Sequence, residues 1–264
     1  MKIGFIGAGE MGSAIIRGLL KSGWKKEDIV ASVHTQASAQ RLTNTLGIKV
    51  CTDNKQIAAE ADRLFVAVKP AQMPSVLQEI AATGISPKPL VSMALGWRVE
   101  KIQSFLPDWP VIRIMPNTPL ALGEGVTLLH FAVQTPLAVR EEMKNLFEKM
   151  GKTFEIPLQV FDAATALSGS GPAFVYAFID ALAQAGVRQG IDERQAVPLA
   201  VQTVIGAAKM VEREGVPPAV LAQKVATPGG CTAAGMDELK KSDFTEVIAH
   251  IIAATTRKAE QVGK

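Results

Sequence analysis

Three glycines near the start of the chain constrain its fold more than any other feature. The short apolar run Ile3-Gly4-Phe5-Ile6 leads at once into Gly7-Ala8-Gly9-Glu10-Met11-Gly12, and an amphipathic stretch comes next. The spacing GxGxxG is weak by itself; a strand before it and a helix after it supply the context in which it acts. The first glycine permits a tight turn, the second lets an anion approach the backbone, and the third lets the helix lie close on the strand. Backbone N–H groups at the helix start then face the anion. The segment predicts a dinucleotide-binding turn, with Gly7, Ala8, Gly9, Glu10, Met11 and Gly12 around the pyrophosphate.

The remainder of the first half has the matching pattern. Short, almost continuously apolar runs at 2–6, 29–33, 48–50, 64–68, 90–94 and 111–115 alternate with helix-length segments at 12–22, 38–46, 71–82 and 99–105. Strands of that kind are buried on both faces, and the alternation indicates a parallel, doubly wound sheet. Two further strands, at 126–129 and 153–156, flank a helix with Thr135 as its N-cap, Pro136 at its first position and Gly151 closing its end. After Pro157 no strand is expected. Residues 161–190 read as helix interrupted by Ser168-Gly169-Ser170-Gly171-Pro172. Asp192 with Gln195 resembles a capping box, and helices run on to about 215, from 217, from 232 to 240 and from 243 onward. The expected fold class is therefore α/β: an N-terminal Rossmann doubly wound sheet (1–158) followed by an all-α domain (159–264). The helices of the second part carry Ala, Val, Ile and Leu on more than one face, which implies packing against a second copy, a homo-oligomer at least dimeric.

Composition narrows the function. Lys and Arg number 28 against 25 Asp and Glu, a formal charge of +3. The densest basic pairs, Lys25-Lys26 and Lys240-Lys241, are isolated, so no nucleic-acid partner is expected. Cys51 and Cys231 stand alone and the three histidines are scattered, which offers neither a disulfide framework nor a metal site. The N-terminus lacks the long apolar core of a signal peptide, and no run reaches the ~20 apolar residues of a membrane span. A cytoplasmic protein with no membrane partner is the expectation.

An NAD-preferring site carries Asp or Glu at the end of the second strand. Here the chain reads Ala31-Ser32-Val33-His34-Thr35-Gln36, with Arg41 shortly after. No carboxylate would repel a 2′-phosphate, so NADP(H) is the preferred cofactor and NAD(H) a possible one. Val68-Lys69-Pro70 and Met115-Pro116-Asn117 punctuate two more strand ends, where ligands of open α/β sheets bind. In the helical part, Gly and Pro within Ser168–Phe174 cost roughly 1 and 3 kcal/mol in an exposed helix, so close packing or a ligand must offset them. Thr227-Pro228-Gly229-Gly230-Cys231-Thr232 opens another helix, whose first N–H groups suit a carboxylate, and the Thr232 hydroxyl can hydrogen-bond a substrate nitrogen.

These motifs resemble those of the pyrroline-5-carboxylate reductases over nearly the whole chain. The marks are Gly4–Ile15, Ala67–Pro70, Arg113–Pro119, Leu167–Gly186 and Ala226–Thr232. Departures are small: Thr227 where the family often has Ser, Leu95 within a frequent Ala-Ala-Gly, and Met236 for an aliphatic. The resemblance implies hydride transfer from NAD(P)H to the C=N bond of (S)-1-pyrroline-5-carboxylate, giving L-proline. It implies Thr232 as the catalytic residue holding the ring nitrogen, Gly229, Gly230 and Cys231 binding the carboxylate, and Ser170 in support. Ser32 and Asn54 would meet the adenosine end of the cofactor; Ala94, Gly96 and Asn117 would lie near the ribose and nicotinamide. Dimers through the helical domain, some assembling to decamers, are also implied. Two rival functions share part of this pattern. A β-hydroxyacid dehydrogenase or related imine reductase shares the glycine turn, but the former needs a lysine that Ser168–Phe178 lacks. A non-catalytic dinucleotide-binding module has no use for an intact Thr227–Thr232 segment.

Overall fold

A computed structural model describes residues 1–262. Strands β1 (Ile3–Ile6), β2 (Ile29–Ser32), β3 (Lys49–Cys51), β4 (Arg63–Val66), β5 (Leu90–Ser92), β6 (Val111–Pro116), β7 (Gly125–Phe131) and β8 (Gly151–Glu155) form one sheet in the order β3-β2-β1-β4-β5-β6-β7-β8. Every pairing is parallel except β6 with β7. The order reverses between β1 and β4, the switch point where open α/β sheets bind ligands.

Helices α1 (Glu10–Lys21), α2 (Gln36–Leu46) and α6 (Leu137–Glu148) cover one face; α3 (Asn54–Glu60), α4 (Met73–Ala81) and α5 (Val99–Gln103) cover the other. Alternation along β1 serves both faces. Ile3 and Phe5 pack with Ile15, Ile16, Leu19 and Phe147, while Ile6 packs with Ile57, Leu77 and Ile80. Each such side chain, fully buried, contributes ~1.5–3 kcal/mol. Phe65 stands at the centre, its ring 4.8 Å from Phe5 and 6.3 Å from Phe147. The two outer strands are guarded by charge: exposed Lys49 on the short β3, and exposed Lys152 and Glu155 on β8.

After β8 come α7 (Phe161–Ala164), α8 (Gly171–Arg188), α9 (Glu193–Glu214), α10 (Pro218–Val225), α11 (Cys231–Lys241) and α12 (Phe244–Val262). Among the described residues, one compact unit comprises Met1–Ser170 together with 254–262; the other is Gly171–Ala253. The first thus extends beyond the boundary expected at 158, and the end of the helical region returns to it. Residues 263 and 264 of the expected second domain lie outside the described residues. Within the second unit α8 and α9 meet through Ile179, Ala183, Ala196 and Ala200. Larger apolar side chains stay exposed, among them Tyr176, Leu199 and Met210.

Several sequence expectations need correction. Thr135 does not cap α6: Pro136 is the N-cap, and its carbonyl takes the N–H groups of Val139 and Arg140. The Thr135 hydroxyl is buried without a partner. Gly151 does not close that helix, which ends at Glu148; it begins β8 with φ +140°. Asp192 caps α9 through the Arg194 N–H at 2.8 Å and pairs with the Arg194 guanidinium, rather than forming a box with Gln195. The glycine-rich interruption is a π-turn over Thr165–Gly169, closed by Ser170 N–H donating to the Thr165 carbonyl, five residues back, at 3.1 Å. By its length and an 18-residue window of mean hydropathy 1.2, Leu158–Arg188 is apolar enough in composition to cross a membrane, which the expectation of no ~20-residue apolar run did not anticipate.

A Cβ at Gly151 would collide with the backbone of Gly125 on β7, in a conformation that side chains rarely adopt. Gly151→Ala is expected to destabilise the protein by about 3 kcal/mol. Thermal unfolding should show a midpoint lowered by roughly 6–12 °C.

Candidate functional site

The glycine turn is built as its spacing requires. The Ser32 carbonyl, at the end of β2, accepts the N–H groups of Gly7 at 3.0 Å and Ala8 at 3.1 Å. Gly7 has φ +86°, and a Cβ there would sit 2.6 Å from Val68 Cγ1. At Gly12 a Cβ would stand 3.0 Å from the Gly7 carbonyl oxygen. At Gly9 a Cβ would meet nothing within 4 Å. Two of the three glycines are thus demanded by protein packing, and the third leaves backbone open to whatever approaches from outside. Gly7, Ala8 and Gly9 form one wall of a cavity of about 560 Å³, with Val68, Lys69 and Asn54 in its other walls. Glu10, Met11, Gly12 and Pro70 are not in the wall. The Pro70 carbonyl instead accepts the Trp97 indole N–H at 3.0 Å.

The far end of the cavity is polar. His34, Ser38 and Arg41 border it after β2, and Lys55 borders it at the start of α3. Arg41 is exposed and forms no ion pair among the described residues. Two carboxylates share this wall, and both have partners. Asp53 caps α3, accepting the N–H groups of Lys55 at 2.9 Å and Gln56 at 3.2 Å. Glu79 accepts from Asn54 Nδ2 at 2.7 Å. Ser32, expected to meet the adenosine end, is fully buried, and its hydroxyl donates to Asn54 Oδ1 at 2.7 Å. It holds Asn54 from behind. Sequence reasoning passed over Glu79; the available signal was that Gln72, Val76 and Glu79 fall on one helical face, all three in the cavity wall.

Ala94 is buried beside β5, and Gly96, with φ +75°, borders a different cavity of about 730 Å³ together with Arg98, Arg113 and Asp162. Arg113 is almost wholly buried. It pairs with Asp162 at 3.0 Å and lies over the Phe161 ring at 4.3 Å. Burial pulls its pKa below the ordinary guanidinium value, and Asp162 opposes that shift. Asn117 serves the fold: its Oδ1 accepts from Val126 N–H at 2.8 Å, and its Nδ2 donates to the Ser168 carbonyl at 3.0 Å. That bond ties the end of β6 to the π-turn.

Ser170 closes the first unit. In the second, Gly229 takes φ +74°, and Gly230 is the N-cap of α11. A Cβ on Gly230 would lie 2.8 Å from the Thr227 hydroxyl and 3.1 Å from its carbonyl oxygen, so a larger residue there requires the Thr227 side chain to shift. The Gly230 N–H donates to the Thr227 carbonyl at 2.9 Å, so it is not a free anion donor. Cys231 and Thr232 open the helix, and their N–H groups have no carbonyl within it to bond. Thr232 is half-buried and Cys231 is an exposed free thiol. No group of three or more His, Cys, Asp or Glu that could hold a metal occurs among the described residues.

Comparison with known proteins accounts for both parts of the chain. Residues 159–262 match the family model for pyrroline-5-carboxylate reductase dimerisation, and residues 2–96 match that for coenzyme F420-dependent NADP oxidoreductases. The pyrroline-5-carboxylate reductase of Arabidopsis thaliana is 34% identical over 264 residues, covering 100% of this chain and 96% of the relative. That of Aquifex aeolicus is 36% identical, covering 99% and 97%. The crystal structure of Plasmodium falciparum pyrroline carboxylate reductase with NADP bound superposes with a TM-score of 0.91 at 31% identity, covering 100% of this chain and 98% of that one. Full-length similarity at this level, with a glycine turn built for a dinucleotide and a helical region matching the dimerisation model, shows that the chain belongs to the pyrroline-5-carboxylate reductase family.

Proposed function

We propose that this chain reduces the C=N bond of 1-pyrroline-5-carboxylate to give proline, with NADP(H) preferred over NAD(H). The observation that carries this reading is the open backbone at Gly9 above a polar cavity, in a chain whose family acts on that imine. A dinucleotide fits the residues present: Gly7, Ala8 and Gly9 would hold its pyrophosphate, and Asn54, Val68 and Lys69 would line its path. When bound, the reduced nicotinamide supplies the hydride. The preference for NADP(H) is supported by the exposed Arg41 beside His34 and Ser38 in the cavity wall.

Thr232 holds the ring nitrogen through its hydroxyl. The first-turn N–H groups of Cys231 and Thr232, at the positive end of α11, hold the substrate carboxylate. With no covalent intermediate, the protein's contribution is orientation of donor and acceptor. The chain assembles as a homodimer through the exposed apolar faces of α8 and α9, with decamers built from such dimers; the match to the dimerisation model supports the dimer. The same association accounts for the apolar stretch Leu158–Arg188 without a membrane. Two free cysteines suit the reducing cytoplasm as its compartment.

Three outcomes are expected. Steady-state kinetics should give a higher kcat/KM with NADPH than with NADH, and Arg41→Ala should reduce that ratio by about tenfold. Thr232→Ala should lower turnover by about 10²-fold while fluorescence titration shows NADPH affinity within about twofold of the parent. Gly9→Ala should weaken NADPH binding by at least about tenfold with an unchanged thermal midpoint, because the new Cβ meets only the ligand; Gly12→Ala should lower the midpoint.

A further inference from the structure

The Asn54 amide sits between two partners of different hydrogen-bonding character. On one side is the buried Ser32 hydroxyl, which can donate or accept; on the other is the Glu79 carboxylate, 2.7 Å from Nδ2. A carboxamide is nearly symmetric in shape, and a hydroxyl tolerates either end of it. An ionised carboxylate only accepts. It therefore forces the NH2 group towards Glu79 and the carbonyl towards Ser32, whose hydroxyl must then donate. The Ser32 carbonyl, a separate group of the same residue, holds the amides of Gly7 and Ala8. Glu79 comes from α4, an element outside the glycine motif, and both it and Asn54 border the cavity.

We infer that Glu79 is a positioning residue for dinucleotide binding: it fixes the direction of the Asn54 amide, so that one N–H and one carbonyl lone pair are presented to the ligand in a set orientation. The inference rests on the reading of this cavity as the dinucleotide site. It also carries a sign. A carboxylate beside a polyanion repels it, so removing one should tighten binding if charge were its only effect. If positioning dominates, removal weakens binding.

The test uses the purified full-length protein, with NADPH dissociation constants from fluorescence titration, kcat and KM with pyrroline-5-carboxylate, and thermal midpoints. Glu79→Ala should raise the dissociation constant and the KM for NADPH by about tenfold, with a smaller change in kcat. Glu79→Gln should fall between parent and Glu79→Ala, because glutamine can still accept from Asn54 but no longer forbids reversal of its amide. This near-isosteric variant guards against a folding defect. Asn54→Ala should weaken NADPH as much as Glu79→Ala, and the double variant should be no worse than Asn54→Ala alone. Unchanged or tighter binding by Glu79→Ala overturns the inference, as do additive effects in the double variant. Gly9→Ala separates the two levels. If it leaves NADPH binding intact, the cavity reading fails and the role of Glu79 with it. If it abolishes binding while Glu79→Ala does not weaken it, only the role of Glu79 fails.

Discussion

The carbonyl of Ser32 accepts two N–H groups from the glycine turn, and the rest of the cofactor end depends on that arrangement. Parallel pairing puts Ser32 opposite Ile6, the last residue of β1, so the chain leaving β1 has to turn across the end of β2. The paired bonds hold that turn while Gly7 supplies the backbone angle and Gly12 lets α1 approach. The Ser32 hydroxyl works in the other direction, towards Asn54. One buried serine thus links the glycine turn to the polar wall of the cavity.

Polar residues at the ends of strands divide into those that face the cavity and those that hold the scaffold. Lys69 and Asn54 belong to the first kind. Asn117 and Arg113 belong to the second. Asn117 has both ends of its amide engaged, with the carbonyl exposed by the π-turn on one side and the backbone of β7 on the other. Arg113 is desolvated and compensated by Asp162 and the Phe161 ring. Removing the partner of such a buried ion pair typically costs about 3–5 kcal/mol.

How legible this was in the sequence varies with the range of the interaction. All eight strands and the crossover pattern were readable, because a strand buried on both faces must be apolar throughout and helices must punctuate the run. The roles of Gly7 and Gly12 were readable because each is a local steric demand. The cap assignments at Thr135 and Gly151 failed because Pro136 serves as N-cap as readily as first helical residue, and because close approach to Gly125 places Gly151 in β8 instead of at the helix end. The π-turn was legible as an interruption but not as a geometry. Ser32 was placed in the right neighbourhood yet assigned to the ligand, since burial of its hydroxyl depends on a contact 22 residues away. Glu79 escaped notice altogether: its partner is 25 residues distant in sequence, and a lone glutamate on an amphipathic helix reads as surface.

The two outer strands of the sheet have a consequence of their own. β3 is three residues long and carries Lys49, and β8 presents Lys152 and Glu155 outward. Another chain cannot readily add a strand at either border, because doing so would strip water from those charges for little backbone pairing in return. Charge at both borders therefore disfavours growth of the sheet from molecule to molecule, although β8 also exposes Phe154 between its two charges.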